Sequence, residues 1–276
     1  MKESVTEIKV HIASALCRIR EERPLVHHIT NLVVMNDTAN LTLQLGALPV
    51  MAHAAEEVAQ MTAQAEALVL NLGTPTPSQI EAMRIAGHEA NTRGIPVVLD
   101  PVGVGATTLR TEAALRLLDE LQIAVIRGNA GEIDALRGGA GRVKGVESIG
   151  TGGDPTSLSQ TLAEKYDTVV AITGERDTIS DGQRTLGVEN GHHWLTRITG
   201  AGCMTTASIA AFAAVERDPL VAAVGGLACF GVAAELSIAE ARGPASLKTA
   251  LLDQLYHLTS EQFIENTCIV NIATGR

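Results

Sequence analysis

Aromatic residues and positive charge are both scarce in this sequence. Phe, Trp and Tyr make up 2% of its 276 residues, and the formal net charge is −10. Proteins that bind nucleic acid present a basic surface, and those that bind single strands add aromatic side chains on which the bases stack. The composition therefore argues against nucleic acid as a partner. Any phosphate group that the protein binds must be held locally, by backbone amides, a few Arg or Lys side chains or a metal ion.

Paired cysteines are also missing. The four cysteines are Cys17, Cys203, Cys229 and Cys268. They form neither a CxxC pair nor a cluster with histidine, which favours a reduced, cytoplasmic protein over a disulfide framework or a zinc site. The first twenty residues mix charged and apolar positions, so no secretory signal is expected there.

Long apolar runs are few. Two stretches, 198–215 and 220–234, carry no charged residue. The first contains several Gly, Ser and Thr residues, and the second is too short to cross a bilayer. Both are therefore predicted to be helices buried in a globular core, and no membrane association is expected.

The motifs of several enzyme classes are absent. The sequence has no GxxxxGKS or GxxxxGKT loop, which excludes a P-loop enzyme, and no GxGxxG follows the first predicted strand, which excludes the common dinucleotide site. Cys203 is not followed by glycine two residues later, so it does not form a nucleophile elbow.

Apolar strands alternate with helices up to residue 173. Strands are predicted at 25–29, 47–51, 67–72, 95–99, 123–126 and 168–172. Helices are predicted from residue 5 up to Pro24, at 36–45, 56–65, 77–93, 112–121 and 129–136, and after Pro155. This alternation indicates an α/β fold with a mostly parallel sheet and helices on both faces. A glycine-rich loop is predicted over 138–153, and the lack of a linker or repeat predicts a single domain over residues 1–276.

Beyond residue 173 the pattern changes. Asp181-Gly182 and Asn190-Gly191 are turn pairs between short β-prone runs, which predicts an antiparallel meander at one edge of the sheet. From Cys203 to about Gln262 the sequence is helical, with breaks just before Pro219 and Pro244.

Several candidate functional residues follow the predicted strands. They are Asn31, Met51, Asp100, Arg127, Thr173 and the loop around Gly200. In an open α/β sheet, ligands bind outside the carboxyl ends of the strands. Because independent segments converge on this edge, the sequence predicts a binding site there.

The segment from Thr199 to Cys203 opens a helical run with a glycine-interrupted turn. Glycine permits a close approach of the backbone to a ligand, and the N–H groups at a helix start attract an anion. The amides of Gly200, Ala201, Gly202 and Cys203 are therefore candidates for an anion hole. A thiol at a helix N-terminus has a lowered pKa, which makes Cys203 a candidate base. A glycine turn followed by a buried structural cysteine fits the segment equally well.

Two carboxylates are candidates for a metal site. Asp100 ends a buried strand before Pro101, where it either holds Mg²⁺, directly or through water, or forms a turn. Glu132 lies three residues after Asn129, which is the spacing of a helix cap and its reciprocal partner. Alternatively, Glu132 lies near a metal and Arg127 binds a phosphate. Four histidines lack metal-ligand spacing with nearby acids and are predicted to be structural: His27, His28, His192 and His193.

Together, these motifs resemble those of the hydroxyethylthiazole kinases, the thiamine-salvage members of the ribokinase-like kinases. The matching segments are ITN at 29–31 with MN at 35–36, GALPVMA at 46–52, DPVGVGA at 100–106, RGNAGE at 127–132, TGE at 173–175 with Asp177 and Asp181-Gly182, and TGAGC at 199–203. They cover nearly the whole chain in the same order. TGAGC is the most discriminating segment, because most ribokinase-like enzymes carry Asp where this family has Cys203.

The resemblance implies a ribokinase-like fold without a separate lid domain. It implies ATP-dependent, Mg²⁺-assisted phosphorylation of the primary alcohol of 4-methyl-5-(2-hydroxyethyl)thiazole, by a homotrimer with substrate sites at the subunit interfaces. The implied roles are as follows: Asn31, Met51 and Gly200 bind the thiazole alcohol, Arg127 and Thr173 bind ATP, Asp100 and Glu132 serve the metal, and Cys203 is the catalytic residue beside the attacking hydroxyl.

Other activities remain open. A kinase of the same fold could act on another small alcohol such as hydroxymethylpyrimidine, and the fold also hosts an ATP- or ADP-dependent dehydratase of hydrated nicotinamide nucleotides. Both are expected to carry Asp at position 203, so Cys203 argues against them. A binding protein without activity would leave the presence of Asp100, Glu132 and Cys203 unexplained.

Overall fold

The computed structural model describes residues 4–138, 143–144, 147–148 and 153–272. Most of the glycine-rich loop predicted over 138–153 lies outside these residues. The helices are α1 (Val5–Glu22), α2 (Met35–Leu45), α3 (Val58–Thr62), α4 (Pro77–Arg93), α5 (Thr108–Glu120), α6 (Ala130–Leu136), α7 (Pro155–Tyr166), α8 (Ala201–Ala213), α9 (Pro219–Leu236), α10 (Pro244–His257) and α11 (Ser260–Asn266). The strands are β1 (Leu25–Ile29), β2 (Leu48–Val50), β3 (Ala67–Asn71), β4 (Val97–Asp100), β5 (Val125–Asn129), β6 (Val143–Lys144), β7 (Glu147–Ser148), β8 (Val169–Thr173), β9 (Asp177–Ser180), β10 (Thr185–Val188) and β11 (Ile269–Asn271).

Nine of the strands form one sheet in the order β11-β10-β9-β8-β5-β4-β3-β1-β2. The six strands from β2 to β8 in this order pair in parallel, and β8, β9, β10 and β11 pair antiparallel. β6 and β7 form a separate short ribbon. The predicted α/β fold with a mostly parallel sheet is therefore confirmed. The antiparallel strands lie at one edge, as the turn pair Asp181-Gly182 predicts.

Two apolar cores lie on opposite faces of the sheet. Successive side chains of a strand point to opposite faces. Val98 and Val125 face a core formed with α1, α2, α8, α9 and α10. Leu99 and Ile126, the next residues along the same strands, face a second core formed with α4, α5, α6 and α7. Burial on both faces explains why these strands are continuous apolar runs.

Local sequence signals set most helix boundaries. In α4, the side chain of Thr76 caps the first turn, Pro77 occupies that turn and Gly94 ends the helix with a φ of +70°. Its bounds are those predicted. α5 begins four residues earlier than predicted because Thr107, rather than a later residue, caps it. α3 has five residues, fewer than the predicted segment 56–65.

Two features after residue 188 were not predicted. β11 adds an outer strand by pairing antiparallel with β10. It has three residues and is held by backbone hydrogen bonds, so its side-chain pattern carries little signal. Asn190-Gly191 does not lead directly into another strand. The chain continues into the 3₁₀ helix His193–Arg197, which the side chain of His192 caps.

The apolar helices α8 and α9 pack closely against each other. A Cβ placed on Gly226 in α9 would lie 2.5 Å from the Cα of Ile209 in α8. Among the described residues, one helical stretch, Pro219–Ala239, is long and apolar enough to cross a membrane, and 83% of its most apolar part is buried inside the protein. The expectation that this run is too short was wrong, because the helix extends beyond 220–234 at both ends. Its burial, which was predicted, accounts for its apolar sequence.

Candidate active site

The carboxyl ends of the parallel strands carry several of the predicted residues. Asp100 is the last residue of β4, and Thr173 is the last residue of β8. In the register of the sheet, Asn71 of β3 is paired with Asp100, and Asn129 of β5 is paired with Thr173. Paired residues on neighbouring strands project from the same face of the sheet, so the register brings these side chains together.

Asp100 is fully buried at the centre of this edge. Its Oδ2 accepts hydrogen bonds from Asn71 Nδ2 at 2.8 Å and from Thr206 Oγ1 at 2.9 Å. Its Oδ1 has no hydrogen-bond partner among the described residues and lies 4.0 Å from Arg127 Nη1. Burial raises the pKa of Asp100, and the positive charge of Arg127 opposes this rise. The carboxylate thus presents one unused oxygen next to a cation.

Arg127 extends from β5 to the start of α8. Its Nη2 donates to Thr173 Oγ1 at 2.7 Å. A Cβ on Gly202 would lie 2.5 Å from its Nη1, so the glycine leaves room for the guanidinium. Its buried Nε lacks a hydrogen-bond partner in the part of the chain that the structure describes. A guanidinium held beside a helix N-terminus is suited to bind an anion.

Gly200 is constrained in a different way. Its φ is +87°, and a Cβ there would lie 2.4 Å from Val34 Cγ1. It is the N-cap residue of α8 and has no side chain with which to satisfy the first amides of the helix. The N–H of Ala201 donates to the carbonyl of Ile198 at 3.2 Å. One amide of the predicted anion hole therefore has a partner within the loop, and the anion hole stays a prediction.

Cys203 lies in the first turn of α8, next to Asp100. Its Sγ accepts hydrogen bonds from Asn71 Nδ2 at 3.2 Å and from Asn31 Nδ2 at 3.5 Å. Burial and then the negative charge of Asp100 raise the pKa of the Cys203 thiol to about 12. The expectation of a lowered pKa was wrong, because desolvation and a neighbouring carboxylate both disfavour the thiolate. Cys203 is thus a neutral thiol near physiological pH.

Asn31 is linked to this group, whereas Met51 lies further out. Asn31 follows β1, and its Nδ2 donates to Asn71 Oδ1 at 2.8 Å. A Cβ on Gly73 would lie 2.4 Å from that nitrogen, so glycine leaves room for the Asn31 amide. Met51 directly follows β2, the edge strand beside β1, and its side chain is partly exposed. The structure thus joins Asn31 to Asp100 through Asn71, and to Cys203 both directly and through Asn71.

Glu132 makes two structural contacts and also has a charged neighbour. Its Oε2 accepts from the N–H of Asn129 at 2.9 Å, and its own N–H donates to Asn129 Oδ1 at 3.0 Å. The helix-cap interpretation is therefore confirmed. Its Oε1 accepts from the N–H of Gly103 at 2.8 Å, which joins α6 to the loop after β4. Burial and then the negative charge of Asp100 raise the pKa of Glu132 to about 7.

The two carboxylates match the donor set of a partly protein-bound magnesium ion. Among the residues that the structure describes, no group of three or more His, Cys, Asp or Glu side chains could hold a metal. Mg²⁺ prefers oxygen ligands and commonly combines one or two carboxylates with waters and substrate phosphates. Asp100 offers a buried oxygen that lacks a hydrogen-bond partner among these residues, and its negative charge contributes to the raised pKa of Glu132. The pair therefore fits Mg²⁺ that is shared with a phosphate ligand.

His27 and His28 are structural, as predicted. The ring of His27 hydrogen-bonds Thr62 Oγ1 at 2.9 Å and the carbonyl of Ala52 at 2.8 Å, and that of His28 contacts Thr42 Oγ1 at 3.3 Å. Burial lowers the pKa of His28 to about 3. Both rings lie in the buried part of β1 and tie it to the elements beside it.

Asn71 and Thr206 belong to the site but were not predicted from the sequence. Each donates a hydrogen bond to Asp100 Oδ2. Asn71 is a polar residue at the end of an apolar run, as Asp100 is in β4. Ligands bind at the carboxyl ends of the strands in such a sheet, so Asn71 becomes a candidate site residue once β3 is taken to end at residue 71. Thr206 lies within the apolar helix α8, and nothing in the local sequence points to its contact with a strand 106 positions away.

The chain is similar to known proteins over most of its length. A model of the "Hydroxyethylthiazole kinase family" matches residues 16–261. The hydroxyethylthiazole kinase of Desulforudis audaxviator (strain MP104C) is 61% identical over 262 residues, which are 95% of this chain and 96% of that protein. The solved structure of a hydroxyethylthiazole kinase protein from Pyrococcus horikoshii OT3 has a TM-score of 0.87 and 42% identity, covering 95% of this chain and 99% of that one.

A more distant structure bears on the fold alone. A ribokinase-like superfamily protein from Enterococcus faecalis V583 has a TM-score of 0.64 at 10% identity, covering 93% of this chain and 96% of that one. The predicted ribokinase-like architecture is therefore confirmed. Because the family model matches most of the sequence and a relative is 61% identical over nearly its full length, the chain belongs to the hydroxyethylthiazole kinase family.

Proposed function

We propose that this protein transfers a phosphoryl group from ATP to the primary alcohol of 4-methyl-5-(2-hydroxyethyl)thiazole, giving thiazole phosphate for thiamine synthesis and salvage. The observation that carries the proposal is the convergence of Asp100, Arg127 and Cys203 beside the start of α8. Family membership supports the choice of alcohol, since the relatives named above are hydroxyethylthiazole kinases.

Arg127 and Thr173 bind the ATP phosphates in this proposal. The side chain of Arg127 is 12% exposed and is anchored by Thr173, so its charge is held in place and little water competes for it. The amides of Gly200, Gly202 and Cys203 at the start of α8 add a partial positive charge. Local neutralisation of this kind is most of what phosphoryl-transfer catalysis requires.

Asp100 and Glu132 would hold Mg²⁺ against the phosphates. When bound, the ion neutralises charge that develops on the transferred group. The chain orients the two carboxylates in advance: Asn71 and Thr206 occupy Asp100 Oδ2, which leaves Oδ1 on the side of Arg127. Backbone amides hold both oxygens of Glu132.

The thiazole alcohol binds among Asn31, Met51 and Gly200, with its hydroxyl beside Cys203. A primary alcohol has a pKa far above neutrality, so its proton leaves late, as the oxygen begins to bond to phosphorus. The pKa of the Cys203 thiol is about 12, so only its small thiolate fraction can accept that proton, and its contribution as a base is therefore modest. The N–H groups of Asn31 and Asn71 that point at Sγ favour this thiolate form.

The proposal places the enzyme in the cytoplasm as a single domain over residues 1–276. The four cysteines all lie in described segments and are free thiols, which suits a reducing compartment. One sheet joins elements from β1 to β11, which supports treating the chain as one folding unit.

A coupled assay of ATP consumption tests the reaction. With the thiazole alcohol and Mg²⁺, we expect ADP release that depends on both and stops when EDTA removes the metal. Hydroxymethylpyrimidine and hydrated nicotinamide nucleotides, the substrates of the alternative activities, serve as controls and should give no turnover. Turnover of either control in place of the thiazole alcohol would contradict the proposed substrate, and full activity in excess EDTA would contradict the metal requirement.

The raised pKa of Glu132 predicts a pH dependence of stability in metal-free protein. Its folded-state value is about 7 against a reference of 4.5, so the folded state binds the proton more tightly than the unfolded chain. The resulting stability is present below pH 4.5 and is lost as the pH rises through 7, with an upper bound of about 3 kcal/mol. Glu132→Gln cannot titrate, so the pH dependence seen in urea denaturation should be weaker in this variant than in the unmodified protein.

Glu132→Gln also distinguishes a capping role of Glu132 from a role in metal binding. Glutamine can accept only one of the two backbone hydrogen bonds that Glu132 accepts, so Glu132→Gln should lose about 1–3 kcal/mol of stability in either case. If Glu132 serves the metal, turnover should also collapse, and added Mg²⁺ and ATP should stabilise the unmodified protein more than the variant. A folded variant with full turnover would restrict Glu132 to capping.

Three substitutions test Cys203. Cys203→Ala and Cys203→Ser should lower turnover by about 10²- to 10⁴-fold, the usual range for a general base, with little change in ATP affinity. Cys203→Asp should stay active, because the two amide donors at Sγ also suit a carboxylate and the wider superfamily carries Asp here. Cys229→Ala, which truncates a fully buried thiol in α9, is the matched control and should lower stability rather than turnover.

The alternative for Cys203 is a purely structural thiol, and it predicts the reverse order. Alanine and serine would then be tolerated, and the buried charge of aspartate would destabilise the fold. Turnover and melting temperature measured for each variant distinguish the two. An alanine variant with full turnover would remove Cys203 from the mechanism.

The proposal also includes a homotrimer with substrate sites at its interfaces. Leu32 and Val33 directly follow Asn31, and they are 77% and 63% exposed in the single chain. Adjacent large apolar side chains beside a substrate-binding residue are typical of a surface that another chain covers. The interface would then adjoin the thiazole pocket.

Light scattering at micromolar concentration should return the mass of three chains. Replacing Leu32 and Val33 together by Glu should dissociate the assembly and lower turnover, because the interface adjoins the pocket. Val10→Glu changes another exposed apolar residue, on α1, and should leave the mass unchanged. A monomer mass for the unmodified protein would contradict both the trimer and the interfacial site.

A further inference from the structure

We propose that Asn71 is a positioning residue for the reaction, which fixes Asp100, Cys203 and Asn31 relative to one another through a single amide group. The inference rests on the proposed kinase function. Asn71 ends β3, between β1 and β4 in the sheet, and is almost completely buried. It reaches groups on three other segments: the loop after β1, the end of β4 and the first turn of α8.

All the hydrogen-bonding groups of the Asn71 side chain are engaged. Oδ1 accepts from Asn31 Nδ2 at 2.8 Å and from the N–H of Gly73 at 2.9 Å. Nδ2 donates to Asp100 Oδ2 at 2.8 Å and to Cys203 Sγ at 3.2 Å. Two donors and two acceptors are the full capacity of an Asn side chain, so the residue leaves none of its polar atoms unsatisfied.

The direction of the amide is fixed by its surroundings. A backbone N–H can only donate, so the atom of Asn71 that faces Gly73 must be the oxygen. The nitrogen then necessarily faces Asp100 and Cys203. A flipped amide would place its N–H₂ group against the N–H of Gly73 and its oxygen against a carboxylate, and both contacts are unfavourable.

The two donated bonds determine what Asp100 and Cys203 present to the ligand. The bond to Oδ2, together with that from Thr206, leaves Oδ1 of Asp100 on the side of Arg127. The bond to Sγ holds Cys203 beside the same amide nitrogen. Because Asn71 is buried, water cannot readily replace these bonds if the amide is removed.

The hydrogen bond that Asn71 Oδ1 accepts from Asn31 positions the Asn31 side chain as well. The Asn31 amide lies against Gly73, where a Cβ would come within 2.4 Å of its nitrogen. Gly73 thus provides the space and Asn71 the hydrogen bond that hold a residue assigned to the thiazole alcohol. One side chain therefore connects the substrate pocket to the metal and thiol groups.

Asn71→Asp and Asn71→Ser test this role. Aspartate has the shape of asparagine and keeps the bonds accepted from Gly73 and Asn31, but it places a second carboxyl group against the buried Asp100. The two carboxyl groups would share one proton, so the donated bonds and the charge of Asp100 cannot both be kept. We expect kcat to fall about 100-fold, as for a small displacement of reacting groups, while KM for ATP stays near its original value. Asn71→Ser adds no charge and should lower kcat in the same way. An unchanged kcat in Asn71→Ser would overturn the inference.

Asn91 supplies a matched control. Its side chain also joins two elements, donating to the carbonyl of Gln122 at 2.8 Å and accepting from its N–H at 2.8 Å. It lies on α4 and lines a groove of about 470 Å³ at the amino ends of β4, β5 and β8, away from the carboxyl ends, and none of the proposed site residues lines this groove. Asn91→Asp should therefore affect melting temperature without lowering kcat. If the kcat losses at Asn71 merely follow melting temperature, as they would for a structural residue, the positioning role is excluded.

A double-mutant cycle tests whether Asn71 acts through Cys203. In a Cys203→Ala background, Asn71→Ser should lower kcat by a smaller factor than it does in the unmodified protein, because one of its two targets is already gone. Fully additive losses would contradict the inference. Absence of thiazole-dependent ATP consumption in the unmodified protein would instead refute the proposed function, so the two failures are distinguishable.

Discussion

Asp100 is a carboxylate without solvent contact at the end of a central strand, and burial of such a charge is costly unless its neighbours compensate it. The compensation comes from three elements: Asn71 on β3, Thr206 on α8 and Arg127 on β5. Each side chain must reach the same point, which restricts how α8 docks on the sheet. The geometry of the site thus follows from the stabilisation of one charge.

Close packing around that charge explains two of the glycines. Gly202 leaves space for the Arg127 guanidinium, and Gly73 leaves space for the Asn31 amide. Both requirements are steric, whereas Gly200 also needs a positive φ. The two glycines of the TGAGC segment are therefore required for different reasons. Gly200 is required by the backbone turn, and Gly202 by the Arg127 side chain of another element. A loop that binds an anion through its amides alone would not need a glycine at position 202.

The sequence predicted those features that depend on local signals, and those that follow from ligand binding at the carboxyl ends of parallel strands. The bounds of α4 follow from Thr76, Pro77 and Gly94, and the predicted strand ends place Asp100 and Arg127 at one edge. Long-range effects were inaccessible: β11 pairs through its backbone with a strand far away in the chain, and Thr206 meets Asp100 only after α8 docks. The pKa of Cys203 was predicted in the wrong direction because helix position is local, whereas burial and a carboxylate neighbour depend on the fold.

The charge of Asp100 also limits how much negative charge the site carries before its ligands bind. It contributes to raising the pKa of Glu132 to about 7 and that of Cys203 to about 12. The thiol therefore keeps its proton, and Glu132 is only partly ionised near neutral pH. A bound cation would favour the ionised form of Glu132. Under the proposed function, metal binding would release a proton through one buried carboxylate, and the site would receive a polyanionic nucleotide without first opposing it with three negative charges.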